Sequence, residues 1–240
     1  MIIAANFKTN MTRAQTAEYY KKVSGFIAEK GISSEAMIFP PATALDSFRG
    51  AITVGAQNAF AVENGAYTGE IGLDQLDEFG IRTILIGHSE RRHILGESQE
   101  LIIEKFNYYK EKGFTIIYCI GEPIEVREEG NDSLMEYLEG QFEGIDLEYE
   151  RLIIAYEPVW AIGTGVTPSE DDVELIHTAL RQKTDRPLLY GGSVKTANAK
   201  ELLALNNVDG ALIGSGALNA EDFCTILSIA ENITNNKEEK

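Results

Sequence analysis

A chain of 240 residues that is 44% hydrophobic can bury a full core, and its length allows one large domain or two small ones. Its formal charge of −17 at pH 7 argues against nucleic acid or an anionic membrane as a partner, since both demand a basic face. The two cysteines, Cys119 and Cys224, lie far apart without CxxC spacing and indicate neither a disulfide framework nor a zinc site. Met1–Ala5 is too short for a signal segment and no later apolar run reaches about 18 residues, so a cytoplasmic protein with no membrane span is expected.

Short apolar runs recur along the chain at Ile2–Ala5, Ala36–Phe39, Ile52–Ala56, Thr83–Ile86, Thr115–Cys119, Leu152–Ala155, Pro187–Tyr190 and Gly210–Ile213. Each reads as a strand buried on both faces. Most are followed by a stretch of helical period, such as Gln15–Ala28, Leu101–Lys112 and Ser169–Gln182. The last opens on Thr167-Pro168-Ser169-Glu170-Asp171-Asp172, which offers capping residues, an early proline and first-turn acids. The short spacings after the second and seventh runs leave room only for abbreviated helices. No Pro- or Ser-rich linker breaks the chain, and only Asn235–Lys240 reads as a solvated, frayed tail. Alternating βα units in one linker-free chain of about 250 residues predict a single α/β domain over residues 1–240, a (β/α)8 barrel. The alternative is an open doubly wound sheet, which usually announces a GxGxxG after its first strand. Here the first run ends in Asn6-Phe7-Lys8.

The stretch Arg151–Pro168, RLIIAYEPVWAIGTGVTP, organises the rest. Its strand stops at Tyr156-Glu157-Pro158, where proline fixes its own φ and biases Glu157 away from helix, so the carboxylate stands on a stiff base. The loop that follows is apolar and holds the chain's single tryptophan, Trp160, with two glycines. Loops are usually polar, and an apolar one reads as a lid that packs when shut.

In a barrel the carboxyl ends of all strands share one face. Asn6 and Lys8 follow the first strand and Gly87-His88-Ser89-Glu90-Arg91-Arg92 the fourth, with Glu157 after the sixth. Gly191-Gly192-Ser193-Val194 follows the seventh and Gly214-Ser215-Gly216 the eighth. Taken singly these are ordinary: a satisfied histidine, a solvated lysine, two tight turns. Their fall at the same end of different strands is not. Glycine-rich loops after strands seven and eight can hold a phosphate on backbone amides, which would admit an anion without altering the net charge. Glu157 suits a base acting on a proton α to a carbonyl. His88 precedes a short helix opening at Ser89, whose amides would lower its pKa and keep the ring neutral. Lys8 would supply positive charge to an enediolate. His88, His93 and His177 lack the spacing of a metal-ligand set, so no metal is expected.

Asn6-Phe7-Lys8, Gln57-Asn58, Gly65–Glu70, Gly87–Arg92, Cys119-Ile120-Gly121-Glu122, Ala155–Gly165 and Tyr190–Val194 together resemble the triosephosphate isomerases, in that family's order and over nearly the whole chain. The pairing of a glutamate base, a neutral histidine and a closing loop is a known property of that family and is carried over by the resemblance. The resemblance implies interconversion of dihydroxyacetone phosphate and glyceraldehyde 3-phosphate without a cofactor. By matched position Glu157 is the base, His88 the electrophile, Lys8 the electrostatic group and Asn6 a polar partner of the substrate. Glu90 would neighbour Lys8, and Ser89 would receive Glu157 with the lid open. Gly163, Ser193, Gly214 and Ser215 would hold phosphate, with Leu212 in the substrate-binding set. Cys119 would be structural. The loop from Asn58 to Glu70 would reach a second copy in a homodimer, where Thr68 supports the partner's site and Glu70 pairs with Arg91 across the interface.

The chain departs from the family pattern in four places. Phe7 replaces a tryptophan, and the hinge Val166-Thr167-Pro168 is about two residues shorter than the family's usual Lys-Thr-Ala-like hinge. Ser215 replaces a glycine and would be strained if its φ were positive. Ile71-Gly72-Leu73-Asp74 replaces the usual turn after Glu70. Two rivals remain. One is another phosphate-binding barrel enzyme, an isomerase or aldolase of a different sugar phosphate; an aldolase would need a lysine within a strand for a Schiff base, and none of the runs contains one. A catalytically silent phosphate-binding barrel would have lost Lys8, His88 or Glu157, and all three are present.

Overall fold

All eight apolar runs form strands: β1 (Ile2–Asn6), β2 (Glu35–Phe39), β3 (Ile52–Val54), β4 (Thr83–Ile86), β5 (Thr115–Ile120), β6 (Leu152–Tyr156), β7 (Leu188–Tyr190) and β8 (Gly210–Ile213). The computed structural model describes residues 1–161 and 168–238. The strands pair in parallel in the order β3-β2-β1-β8-β7-β6-β5-β4. The remaining seam is joined by a parallel bridge between Ala56 and Ile84, where the Ala56 amide donates to the Thr83 carbonyl and the Leu85 amide to the Ala56 carbonyl, each at 2.9 Å. An open sheet would leave β3 and β4 as edges. The bridge closes them, and the molecule is a (β/α)8 barrel.

The two-residue period of a strand sorts its side chains into two cores. Ala4, Met37, Leu85, Ile117, Ala155 and Leu212 belong to the cluster inside the barrel. Ile3, Ile38, Ile84, Ile116, Ile154 and Ile213 join the layer between sheet and helices. Burying an aliphatic side chain contributes about 1.5–3 kcal/mol, so the two layers oppose any one-residue slip of a strand. The same parity continues past the strand ends. Asn6, Glu157 and Gly214 follow the inward residues Ala4, Ala155 and Leu212 by two positions, which aims them at the barrel mouth.

Helices begin and end on local chemistry. Thr12 and Gln15 form a capping box for Arg13–Lys30, and Gly31 at φ 63° stops it. The caps extend this helix beyond the predicted Gln15–Ala28. Thr16, Tyr19, Tyr20, Val23 and Ile27 form its buried stripe, and Phe7 packs edge-on against Tyr19 at 4.8 Å, so phenylalanine serves as the packing residue there. The Ser169 hydroxyl accepts the Asp172 amide at 3.1 Å and starts Glu170–Arg181. The connections after β2 and β7 are short as expected, a 3-10 turn at Ala42–Ala44 and a helix at Ala199–Ala204. The last helix, Ala220–Glu238, runs into the segment read as a frayed tail. Once a helix is nucleated and anchored through Phe223, Ile226, Leu227 and Ala230, each added turn costs only propagation.

Candidate active site

The parity of the strands and the glycines behind them bring the distant polar residues together. Asn6, Lys8, His88 and Glu157 line one cavity of about 280 Å³ at the carboxyl ends of the strands, and Ser193, Leu212, Gly214 and Ser215 line it too. Gly163 and the hinge residues Val166 and Thr167 lie outside the described residues.

Glu157 is 2% exposed, an expensive place for a carboxylate unless charge and hydrogen bonds hold it there. Its Oε2 accepts the Ser89 amide at 2.9 Å, and its Oε1 lies 3.0 Å from His88 Nε2. Burial pushes its pKa up, but His88, the Ser89 amide and Lys8 outweigh burial and hold the carboxyl below its ordinary 4.5. The backbone beneath is equally fixed. The Glu157 amide donates to the Ile120 carbonyl at 2.7 Å, and the Gly191 amide to the Tyr156 carbonyl at 2.7 Å. A Cβ at Gly121 would stand 1.7 Å from the Glu157 carbonyl oxygen, and one at Gly191 would stand 2.7 Å from Glu157 Cγ. These glycines make space for the carboxylate. That role was not visible in the sequence, where Gly191 reads only as part of a phosphate loop.

His88 caps the helix Ser89–His93, its Nδ1 accepting the Glu90 amide at 3.2 Å. A ring nitrogen that accepts carries no proton, so the neutral ring bears its hydrogen on Nε2, facing Glu157. The expected lowering of the His88 pKa is not what this arrangement gives. Burial does pull it down, but the Glu157 carboxylate pushes it up, and the net direction is above 6.5. The sequence reading supplied the helix amide and missed that the carboxylate would rest on the ring.

Lys8 adopts φ 52°, in the left-handed region that costs a non-glycine residue about 1–3 kcal/mol. Its surroundings hold it there. The Lys8 amide donates to Asn6 Oδ1 at 3.0 Å, its carbonyl accepts Gln57 Nε2 at 2.8 Å, and its ammonium donates to Glu90 Oε1 at 2.6 Å. Gln57 also donates to the Phe39 carbonyl at 2.8 Å, which ties Lys8 to the end of β2. A Cβ on Gly214 would meet Lys8 Cε at 3.3 Å, so the glycine leaves room for the lysine stem.

The loops after β7 and β8 touch at backbone distance: a Cβ at Gly216 would stand 2.0 Å from the Val194 carbonyl oxygen. Ser215 opens a 3-10 turn, Ser215–Ala217. Among the described residues the non-glycines with positive φ are Lys8, Met11 and Asn207, so Ser215 escapes the strain considered for it.

Glu122 was read only as part of a motif. It is fully buried, accepts Trp160 Nε1 at 2.9 Å and Tyr156 Oη at 3.1 Å, and burial pushes its pKa up. It therefore fixes the start of the connection after β6, where Val159–Ala161 forms a 3-10 turn. Cys119 points into the barrel and is fully buried, with burial pushing its thiol pKa well up, as suits a structural residue. Thr68 sits in an exposed loop and does not line the cavity. Arg91 pairs within its own chain to Glu97 at 2.6 Å, while Gly69, Glu70 and Arg91 border a separate hollow of about 200 Å³. No group of three His, Cys, Asp or Glu side chains among the described residues could hold a metal ion, and no described helix is long and apolar enough to cross a membrane.

The chain also matches known proteins over nearly its whole length. The triosephosphate isomerase family model matches residues 1–230. A triosephosphate isomerase of Sulfurimonas denitrificans is 58% identical over 233 residues, 97% of each chain. One from Sulfurovum sp. is 57% identical over 95% of this chain and 99% of its own. A third, from Nitratiruptor sp., is 52% identical over 97% of this chain and all of its own. A match of this extent, on a barrel whose mouth gathers a buried glutamate, a histidine and a lysine beside two glycine-rich loops, means that the chain belongs to the triosephosphate isomerase family.

Proposed function

We propose that this protein interconverts dihydroxyacetone phosphate and D-glyceraldehyde 3-phosphate through an enediolate. The observation that carries the reading is the buried contact of Glu157 with His88 Nε2 at 3.0 Å, in the cavity that Lys8 and the loops after β7 and β8 also line. In this scheme substrate enters between carboxylate and imidazole. Glu157 leaves the Ser89 amide and takes the proton from the carbon next to the carbonyl. His88 donates its Nε2 hydrogen to the carbonyl oxygen. With the carboxylate drawn away, the upward push on the ring weakens, and burial together with the Glu90 amide favours the neutral form. Lys8, braced by Asn6 and Glu90, offsets the charge that develops on oxygen. Glu157 then returns the proton to the neighbouring carbon while the hydroxyl on the first carbon gives its proton back to His88 Nε2, which forms the new carbonyl and restores the ring, and no cofactor enters the cycle.

The amides of Gly163, Ser193, Gly214 and Ser215 would bind the phosphate, and Leu212 would form the apolar floor. Amide dipoles can hold a dianion in a molecule of charge −17 because they oppose it locally. Lid closure over the enediolate would exclude water and block loss of phosphate. We place the enzyme in the cytoplasm, as a single-domain barrel that pairs into a homodimer with Thr68 supporting the neighbouring site. The test is a coupled assay of glyceraldehyde 3-phosphate isomerisation. Saturable conversion supports the reading. Binding of a three-carbon phosphate without turnover would replace it with the silent-barrel alternative.

A further inference from the structure

We infer that Lys195 is the entry and positioning cation for the substrate's phosphate, an inference that rests on the function proposed above. Lys195 is exposed and lines the same cavity as Ser193, Gly214 and Ser215. Its backbone is pinned. The Lys195 amide donates to Asn198 Oδ1 at 2.7 Å, and its carbonyl accepts the amides of Asn198 at 3.1 Å and Ala199 at 2.9 Å. Asn198 also donates through Nδ2 to the Ser193 carbonyl at 3.0 Å. One asparagine thus fixes the base of Lys195 relative to Ser193, while its exposed side chain stands at the mouth.

The charges around the cavity give this lysine its importance. Lys8 is the other lysine in the cavity wall, and Glu90 at 2.6 Å already pairs with its ammonium. Glu157 adds a negative charge in the same cavity, and the whole molecule carries −17. Without Lys195 the side chains here would present net negative charge to an arriving dianion. Lys195 has no ion-pair partner among the described residues. Backbone amides act at contact, whereas a full charge acts over a Debye length of about 8 Å at physiological salt. The lysine therefore supplies what the amides cannot, attraction before contact.

The experiment is a charge series, Lys195→Arg, Lys195→Gln and Lys195→Glu, assayed with glyceraldehyde 3-phosphate from low to high salt. At low salt kcat/KM should stay near wild type in K195R, fall about tenfold in K195Q and fall further in K195E, with the loss mainly in KM. The variants should converge towards wild type near 1 M salt, where the Debye length is about 3 Å. Lys195 is exposed, so melting temperatures should barely move. Wild-type turnover with kcat/KM indifferent to charge at position 195, or with parallel salt slopes in all variants, would overturn the inference and leave the proposed function standing. If K195E fails to fold, the comparison of K195Q with K195R decides alone. A wild-type protein without isomerase activity would overturn both.

Discussion

At Glu157 three separate demands meet: burial, which raises a carboxyl's pKa; an imidazole and an amide, which lower it; and space, granted by Gly121 and Gly191. Removing one methylene tests the geometry without removing the charge. Glu157→Asp draws the carboxylate back by roughly 1 Å, and displacement on that scale costs about 100-fold in rate. We expect kcat to fall by at least that factor while a three-carbon phosphate analogue still binds; unchanged turnover would remove Glu157 as the base. Glu157 and Lys8 were legible in the sequence because Pro158 marks a strand end and Asn6-Phe7-Lys8 ends another. The roles of Gly121, Gly191 and Gln57 were not. Each is defined by an atom from elsewhere in the chain: the Glu157 carbonyl, Glu157 Cγ and the Lys8 carbonyl. No local pattern encodes such a distance.

At the scale of elements, two features flanking the connection after β6 can be read by experiment. Trp160, the chain's single tryptophan, is held to buried Glu122 at 2.9 Å. Saturation with glycerol 3-phosphate should shift its fluorescence, because closing the lid must change the indole's surroundings; an unaltered spectrum under saturating ligand would contradict a closing lid. The helix Glu170–Arg181 is anchored through His177, which is fully buried, packs beside Tyr156 and Tyr190, and touches the Asn207 carbonyl at 3.0 Å. Burial is the chief cause that lowers its pKa to about 4. The unfolded chain therefore binds a proton below about 6.5 that the folded chain refuses. The resulting stability is fully present above that pH and is lost progressively down to about pH 4, by about 3 kcal/mol. His177→Phe should shrink the pH dependence of unfolding over that window, read by denaturant titration; an identical dependence would show that another group titrates. The strand and helix positions were legible because periodicity and capping are local. The upward shift of His88 was not, since it depends on a side chain arriving from β6.

For the whole molecule, the loop from Asn58 to Glu70 and the residues after His93 present an unusual surface. Ile94 and Leu95 are adjacent aliphatic side chains 76% and 64% exposed, and Tyr67 in the loop is 47% exposed; a second copy of the chain could cover them. Light scattering should give twice the chain mass of 26.5 kDa. Thr68→Arg should return the mass to that of one chain and lower turnover at least about tenfold, because a site needs rigid support around its reacting groups. A fully active single chain would contradict the dimer. Closure of the barrel was legible from the count and spacing of strands, and both partners of the Ala56–Ile84 bridge that completes it fall within predicted runs, but nothing local in either run names the other as its neighbour. All of these features serve one claim, that Glu157 carries a proton between adjacent carbons of a triose phosphate. Its most direct test is to incubate the protein with dihydroxyacetone phosphate in D2O and follow the carbon-bound hydrogens by NMR. The account predicts glyceraldehyde 3-phosphate carrying deuterium at C2, with incorporation abolished in Glu157→Gln; deuterium transfer that persists in that variant would contradict it.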